Sequence, residues 1–263
     1  MVLSYTLNII MVLFFVFLET SDGQILLTRR AAHMRTFPNI WVPPGGSIDW
    51  NEESLFTTGL RELKEETNIT FADEDVVSCK PLCMWESVYP TMLSKGNRSA
   101  INFLLNFYVA IFIQQYLPAK IRRIFLSQFI LYLGDAKRQH SVVYFHIMVN
   151  KRSEELQSQI VLQEQEVSAS AWFDHKLVKI AIGQQNGFIH TKDSSKMLTK
   201  DIPKTFTIYS FIPNTGGSCQ LIEWPTDVLI LRVKDCGSEC SDIERLSSGT
   251  IFALEQWLCS KAT

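Results

Sequence analysis

The chain has 263 residues and a formal net charge of −2, with 27 acidic residues (Asp and Glu) against 25 basic residues (Lys and Arg). This balance argues against a protein that binds nucleic acid or an anionic membrane through a broad basic surface. The length allows one domain with a sizeable core, and the six cysteines lack the paired spacing of a zinc site. We expect an intracellular protein with reduced thiols, in the cytoplasm or, as the alternative, in the peroxisome.

The first apolar stretch covers residues 9–18 and has two interpretations. It has the length of a signal-peptide core, but no Lys or Arg precedes it and no small-residue cleavage site follows. It also suits a fully buried strand, followed by a polar turn at 21–24 and a returning strand at 25–30. We favour the strand pair.

Residues 45–69 contain a glycine pair and then three carboxylates at helical spacing. Glu62, Glu65 and Glu66 stand at i, i+3 and i+4, which places them within about 100° of arc on one helix face. Like charges on that face repel by a few tenths of a kcal/mol per pair. A hard divalent cation reverses this balance because it takes carboxylate oxygens as ligands. Asn68 is a plausible end for the helix, since Asn tolerates the left-handed conformation.

The order of these residues resembles the Nudix box: Gly, five residues, Glu, seven residues, then Arg-Glu-apolar-x-Glu-Glu-x-Gly. Two departures are present. Fourteen residues separate Gly46 from Arg61 where the pattern has thirteen, and Asn68 replaces the last glycine. Counting forward from Gly46 selects Glu52 as the first Glu, whereas counting back from Arg61 selects Glu53. We prefer Glu53 because helical register is the stricter constraint.

The resemblance implies an α/β fold, the Nudix α/β/α sandwich with a mixed β-sheet. It also implies metal-dependent hydrolysis of a diphosphate linkage. One or more Mg²⁺ or Mn²⁺ ions would be held by Glu62, Glu65, Glu66 and the carbonyl oxygen of Gly46. Arg61 would orient these carboxylates through its fork of donors. Glu65 or Glu66 would be the general base.

Other site candidates lie outside the box. Glu166 shortly precedes a predicted strand that ends in Trp-Phe, and this position is similar to the second acidic element of many Nudix enzymes; we expect a fourth ligand or the base. Trp85 and Tyr89 can stack on a nucleobase, with core packing as the equal alternative. Arg29 and Arg30 can reach substrate phosphates, although solvated strand-end arginines are the more common case.

Residues 35–46 and 85–93 resemble one group of Nudix proteins in particular. This closer resemblance implies cleavage of methylguanosine-capped RNA with release of methylguanosine diphosphate. NADH and coenzyme A derivatives are the alternative substrates. A non-catalytic nucleotide-binding module is the alternative class, supported by the extra residue in the box loop. Because no pronounced basic stripe is present, we expect a nucleotide or capped-RNA substrate without a stable nucleic-acid complex. We expect no membrane association.

The segment 97–134 does not suit a soluble domain, because it is apolar and no Asp or Glu occurs between Glu86 and Asp135. A membrane-associated hairpin and an added pair of packed elements are two interpretations. We favour a translated intron, since removing the segment leaves a polar loop between two predicted strands. The expected organisation is a Nudix domain over 9–96 and 135–200, this insert, and a C-terminal extension over 201–263 with a closing helix at 250–258.

Overall fold

Ten strands are found among the residues that the computed structural model describes, which are 10–47, 55–89, 138–185, 203–212, 217–229 and 245–261. The strands are β1 (Ile10–Glu19), β2 (Ile25–Arg30), β3 (Ile40–Val42), β4 (Gly45–Ser47), β5 (Val76–Tyr89), β6 (Arg138–Val149), β7 (Val167–Phe173), β8 (Thr205–Phe211), β9 (Cys219–Pro225) and β10 (Arg245–Leu246). The helices are α1 (Leu55–Thr67), α2 (Ser153–Gln157), α3 (His175–Gln185) and α4 (Ser248–Lys261), with 3-10 turns at Asp73–Asp75 and Thr226–Leu229.

Strand β1 lies at the centre of one mixed sheet. The sheet order is β5-β6-β1-β2-β7-β8-β9, with β3 paired to β2 and β10, and β4 paired to β1. The β1–β6 pair is parallel, whereas β1 is antiparallel to β2 and β4. Side chains from Phe14 to Leu18 are all buried, as expected for a strand that is covered on both faces. The strand interpretation of the first apolar stretch is therefore confirmed.

The alternation of side chains along β1 divides the core into two clusters. Phe15 and Phe17 pack with residues of α3 and α4 on one face of the sheet. Val16 and Leu18 pack with Leu63 of α1 on the other face. Successive strand residues point to opposite faces, so helices cover both sides. The predicted α/β/α sandwich with a mixed β-sheet is confirmed.

Helix α1 ends as its sequence predicts. Asn68 has a φ of +59°, the left-handed conformation that follows many helix ends, and its N–H donates to the Lys64 carbonyl oxygen at 2.7 Å. The Asn68 side chain also donates to the Gln159 carbonyl oxygen at 3.3 Å. Asn in place of glycine therefore costs little here and adds a contact to the loop that follows α2.

A buried carboxylate holds α4 to the sheet. Glu19, 2% exposed, accepts hydrogen bonds from Trp257 Nε1 at 2.9 Å and from Lys261 Nζ at 2.6 Å, both on α4. His146 Nε2 of β6 lies 2.6 Å from the same carboxylate. Burial alone would raise the pKa of Glu19, but the hydrogen bonds from His146, Lys261 and Trp257 outweigh it and hold the pKa at about 2.

Several expectations fall on residues outside the described ranges. These are the insert at 97–134 and the domain boundary at residue 200. Strands β8 and β9 belong to the expected C-terminal extension. β8 pairs with β7 and β9 pairs with β8, so both extend the same sheet. Among the described residues, no helix is long and apolar enough to cross a membrane.

Deleting residues 97–134 is expected to leave the sheet intact. The segment joins β5 to β6, and these strands are antiparallel neighbours with Tyr89 opposite Arg138 at the open end. A connection of residues 90–96 and 135–137 still closes this hairpin. The deletion makes this connection about five times shorter. Because each halving of loop length lowers the entropic cost of closure by about 0.6 kcal/mol, the folded state is favoured by about 1 kcal/mol. Thermal unfolding of the shortened chain should show an equal or higher Tm, and loss of cooperative unfolding would contradict the topology.

Removing the charge of Glu19 is expected to weaken the protein at neutral pH and to change its acid response. The folded pKa lies below the ordinary value of 4.5, so the stabilisation is present above pH 4.5 and is lost as the pH falls toward 2. Glu19→Gln should cost about 3 kcal/mol at pH 7 and should flatten the stability profile between pH 4.5 and 2. Urea unfolding at several pH values measures both effects.

The exposed Glu74→Gln provides the control for this prediction. An acid profile that is the same in Glu19→Gln and in the parent chain would show that the α4 contact is not electrostatic.

Candidate active site

Three carboxylates from two parts of the chain converge beside the sheet. Glu62 and Glu66 come from α1, and Glu166 comes from the turn before β7. Each offers one oxygen, and these oxygens all lie within 4.8 Å of one another. Glu62 and Glu66 are buried, at 8% and 5% exposure, whereas Glu166 is exposed. We call these three residues the carboxylate cluster.

Glu166 reaches the cluster because its loop is fastened to the end of α1. The last carbonyl groups of a helix have no partners within the helix. Here the N–H of Gln163 donates to the Glu66 carbonyl oxygen at 3.1 Å, and the N–H of Val161 donates to the Thr67 carbonyl oxygen at 3.0 Å. On the other side, the Ala31 N–H donates to the Glu166 carbonyl oxygen at 2.8 Å. The turn is thus fixed between α1 and β2.

Each carboxylate oxygen of Glu66 has one donor from the sheet. The Gly45 N–H donates to Oε1 at 3.1 Å, and the Thr28 hydroxyl lies 3.0 Å from Oε2. Burial raises the pKa of Glu66 to about 8; these two hydrogen bonds oppose that rise, and the nearby Glu62 and Glu166 carboxylates add to it. Without a cation, Glu66 therefore resists ionisation near neutral pH.

Glu62 lies between Arg61 and Gly46. Arg61 Nη1 is 2.9 Å from Glu62 Oε1. Burial nevertheless raises the pKa of Glu62, against the opposing charge and hydrogen bond of Arg61. A Cβ at Gly46 would lie 2.5 Å from the Glu62 carboxylate, so any other residue at this position would displace the Glu62 side chain. The expected role of the Gly46 carbonyl oxygen as a ligand stays a prediction.

Glu65 takes a different direction from the other two carboxylates of α1. Its side chain is 53% exposed, and its Oε2 accepts a hydrogen bond from Arg61 Nη1 at 2.9 Å. Arg61 Nη2 also donates to the Ser47 carbonyl oxygen at 3.3 Å. Arg61 therefore ties α1 to β4. The expected role of Glu65 as ligand or base stays a prediction, and Glu52 and Glu53 lie outside the described residues.

Of the two aromatic candidates for substrate contact, the structure describes the side chain of Trp85. The Trp85 ring lies 5.5 Å from the Phe252 ring of α4, and its atoms would contact a Cβ placed at Gly249 at 3.1 Å. These contacts favour the core-packing alternative for Trp85. Tyr89 ends β5, and its side chain lies outside the described part of the structure.

The two arginine candidates both contact the protein itself. Arg29 Nη1 donates to the Ser168 hydroxyl at 3.0 Å, and the guanidinium lies 5.5 Å from the centre of the Trp224 ring. Arg30 Nε donates to the Thr36 carbonyl oxygen at 3.2 Å. Both arginines are half-buried at the end of β2, and their expected contacts with substrate phosphates stay predictions.

Two residues of the site are not predicted from the sequence. Thr28 and Gly45 each form a hydrogen bond with the Glu66 carboxylate, but neither is among the expected site residues. A signal for Thr28 exists, because it is a polar residue at the end of the apolar run Ile25-Leu26-Leu27. A buried hydroxyl in such a run needs a hydrogen-bond acceptor.

Comparison with known proteins agrees with this geometry. Residues 11–107 match the NUDIX domain model. The chain is similar to the m7GpppN-mRNA hydrolase NUDT17 of Danio rerio, with 33% identity over 92% of this chain and 65% of that protein. The corresponding protein of Homo sapiens is 30% identical over 92% of this chain and 59% of its own length, and that of Xenopus laevis is 27% identical over 92% and 63%. The chain thus spans about three fifths of the length of these relatives.

The similarity to these relatives extends over most of the chain, and the matched domain contains both α1 and the glycines of β4. Together with the three-layer fold, this match shows that the chain contains a NUDIX domain.

Proposed function

We propose that this chain is a metal-dependent Nudix hydrolase that cleaves a diphosphate linkage in a nucleoside diphosphate derivative. The observation that carries the proposal is the convergence of Glu62, Glu66 and Glu166, whose oxygens lie within 4.8 Å of one another. Two of these carboxylates are buried, and burial is unfavourable for carboxylates that repel each other. Such an arrangement is typical of a binding site for a cation.

The donor set fits Mg²⁺ or Mn²⁺. All three groups are carboxylates, and hard oxygen ligands suit these cations. Glu62, Glu66 and Glu166 would hold the cation, with Glu65 and the Gly46 carbonyl oxygen as further predicted ligands. When bound, a divalent cation neutralises charge on the diphosphate and makes an adjacent water more acidic.

The protein groups have separate tasks in this proposal. Glu66 is a fixed acceptor, because both of its oxygens are held by donors of the sheet. Arg61 orients Glu62 at 2.9 Å and restrains Glu65 at the same time. Glu166 is exposed beside the two buried carboxylates; as the alternative to its role as a ligand, it would take a proton from the attacking water and pass it to solvent.

The proposed substrate is methylguanosine-capped RNA, with methylguanosine diphosphate as a product. The support is the similarity to relatives that are named m7GpppN-mRNA hydrolase. A small cap-like substrate agrees with the low net charge of −2, since tight binding of long RNA depends on many phosphate contacts. NADH and coenzyme A contain the same type of linkage and serve as the competing substrates in the assay.

Hydrolysis should require the carboxylate cluster. We expect purified protein with Mg²⁺ or Mn²⁺ to cleave a methylated cap analogue faster than NADH or coenzyme A. Glu66→Gln and Glu166→Gln should each lower kcat/KM by on the order of 100-fold, because each removes a charged oxygen donor or a base. Glu164→Gln is the matched control, since Glu164 is exposed two residues away in the same turn and lies outside the cluster.

Product analysis by chromatography measures these rates. Full activity in both cluster variants, or an equal loss in Glu164→Gln, would contradict the proposal. Cleavage of NADH alone would retain the hydrolase and replace the substrate.

The stability of the metal-free protein should fall as the pH rises. Glu66 has a folded pKa of about 8 and an ordinary value of 4.5, so between these pH values the unfolded chain gives up a proton that the folded chain keeps. The free energy of unfolding therefore decreases from pH 5 to pH 8, by on the order of 4 kcal/mol from this group. Thermal unfolding in EDTA measures the decrease.

Glu66→Gln should remove most of this pH dependence, because Gln keeps an acceptor for the Gly45 N–H without the charge. Mn²⁺ should restore the Tm of the parent chain at pH 8 and have little effect on the variant. A parent profile that is flat from pH 5 to 8 would show that Glu66 ionises freely.

A further inference from the structure

Thr28 is a buried polar residue at the point where the sheet meets the carboxylate cluster. It lies in β2, is 1% exposed, and follows Leu26 and Leu27, which are fully buried. A hydroxyl in this position is costly unless it makes a hydrogen bond. Its hydroxyl oxygen lies 3.0 Å from Glu66 Oε2 and 3.3 Å from the Val42 carbonyl oxygen.

The hydroxyl carries one hydrogen and so can donate to only one of these acceptors at a time. The Glu66 oxygen is the nearer one, and an ionised carboxylate is the stronger acceptor. Thr28 therefore donates to Glu66 when that carboxylate is charged, which is its state with a cation bound.

Gly45 provides the second half of the same support. Its N–H donates to Glu66 Oε1 at 3.1 Å, and a Cβ at Gly45 would meet the main chain of Phe14 in β1. One donor is therefore fixed by close packing of two strands, and the other by the position of Thr28 in β2. With one donor on each oxygen, the carboxylate plane is set, and two of roughly four lone-pair positions stay available.

We propose that Thr28 is a positioning residue for the Glu66 carboxylate and that its hydroxyl increases the affinity of the carboxylate cluster for a divalent cation. The inference rests on the proposed function in assigning a cation to the cluster. It extends that function to a residue of β2 that lies outside the glycine–carboxylate motif and acts through Glu66. Groups that orient a ligand through a hydrogen bond commonly contribute 10- to 100-fold to metal affinity.

Three variants separate the hydroxyl from the packing around it. Thr28→Val removes the hydroxyl and keeps a branched side chain, whereas Thr28→Ser keeps the hydroxyl and loses a methyl group. Ser170→Ala is the matched control: Ser170 lies directly opposite Thr28 on β7 and is fully buried, and its hydroxyl has no hydrogen-bond partner among the described residues. It removes a buried hydroxyl beside Thr28 without touching Glu66.

The direct readout is the Kd for Mn²⁺, measured from the electron paramagnetic resonance signal of free Mn²⁺, with thermal unfolding to confirm that each variant folds. We expect Thr28→Val to weaken Mn²⁺ binding about tenfold, and Thr28→Ser and Ser170→Ala to stay within about twofold of the parent. At saturating Mn²⁺, kcat for the cap analogue should fall in Thr28→Val with KM unchanged.

Failure of the inference and failure of the proposed function give different results. If the parent hydrolyses the cap analogue and Thr28→Val binds Mn²⁺ as tightly as the parent, the inference is wrong and the function stands. An equal loss of affinity in Thr28→Ser would also overturn it, because packing would then be the cause. If the parent binds Mn²⁺ as expected and cleaves none of the panel, the Thr28 contrast still holds and the proposed hydrolase activity fails. A parent that does not bind Mn²⁺ overturns both.

Discussion

The burial of Glu66 against the sheet is the constraint on which the site depends. A carboxylate at 5% exposure, beside two others, is unfavourable unless its charge is compensated. The chain supplies two neutral donors, Thr28 and Gly45, and these orient the group without neutralising it. The remaining cost is the reason for the raised pKa, and a bound cation would remove it. The energetic cost and the proposed function thus have the same origin.

A second buried carboxylate shows what a structural solution looks like in the same protein. Glu19 is 2% exposed on the opposite side of β1, and it contacts His146, Trp257 and Lys261. Its pKa is about 2, whereas that of Glu66 is about 8. Burial is the main reason for the raised pKa of Glu66, whereas at Glu19 the hydrogen bonds outweigh the effect of burial. Glu19 has basic side chains at hydrogen-bond distance, and Glu66 has other carboxylates nearby. Perturbed groups of the second kind are enriched at functional sites.

The alternation of side chains along β1 separates these two environments. One face of the strand packs on α3 and α4, and the other packs on α1, which contributes Glu62 and Glu66. The contacts of Glu19 therefore hold α4 to one face of the sheet. On the other face, hydrogen bonds from the loop at 159–166 hold the end of α1. The carboxylate cluster therefore lies on one face of a sheet whose other face is held to α4 by the contacts of Glu19.

Much of this arrangement is predictable from local pattern. The spacing of the acids locates α1, and Asn68 marks its end, because both depend on residues close in sequence. The orientation of the Glu65 side chain is not predictable in this way: the helix places it on the same arc as Glu62 and Glu66, but it is 53% exposed and paired with Arg61. Thr28 and Glu166 meet Glu66 through strand pairing and loop docking, and such contacts depend on tertiary packing that no short motif contains.

The most direct test of the account is the location of a bound cation. Anomalous diffraction from crystals of the protein soaked in Mn²⁺ would show it without any assumption about substrate. We predict one principal peak at about 2.1 Å from carboxylate oxygens of Glu62, Glu66 and Glu166. A peak that lacks Glu66, or a fully occupied soak with no peak at the carboxylate cluster, would contradict the central claim.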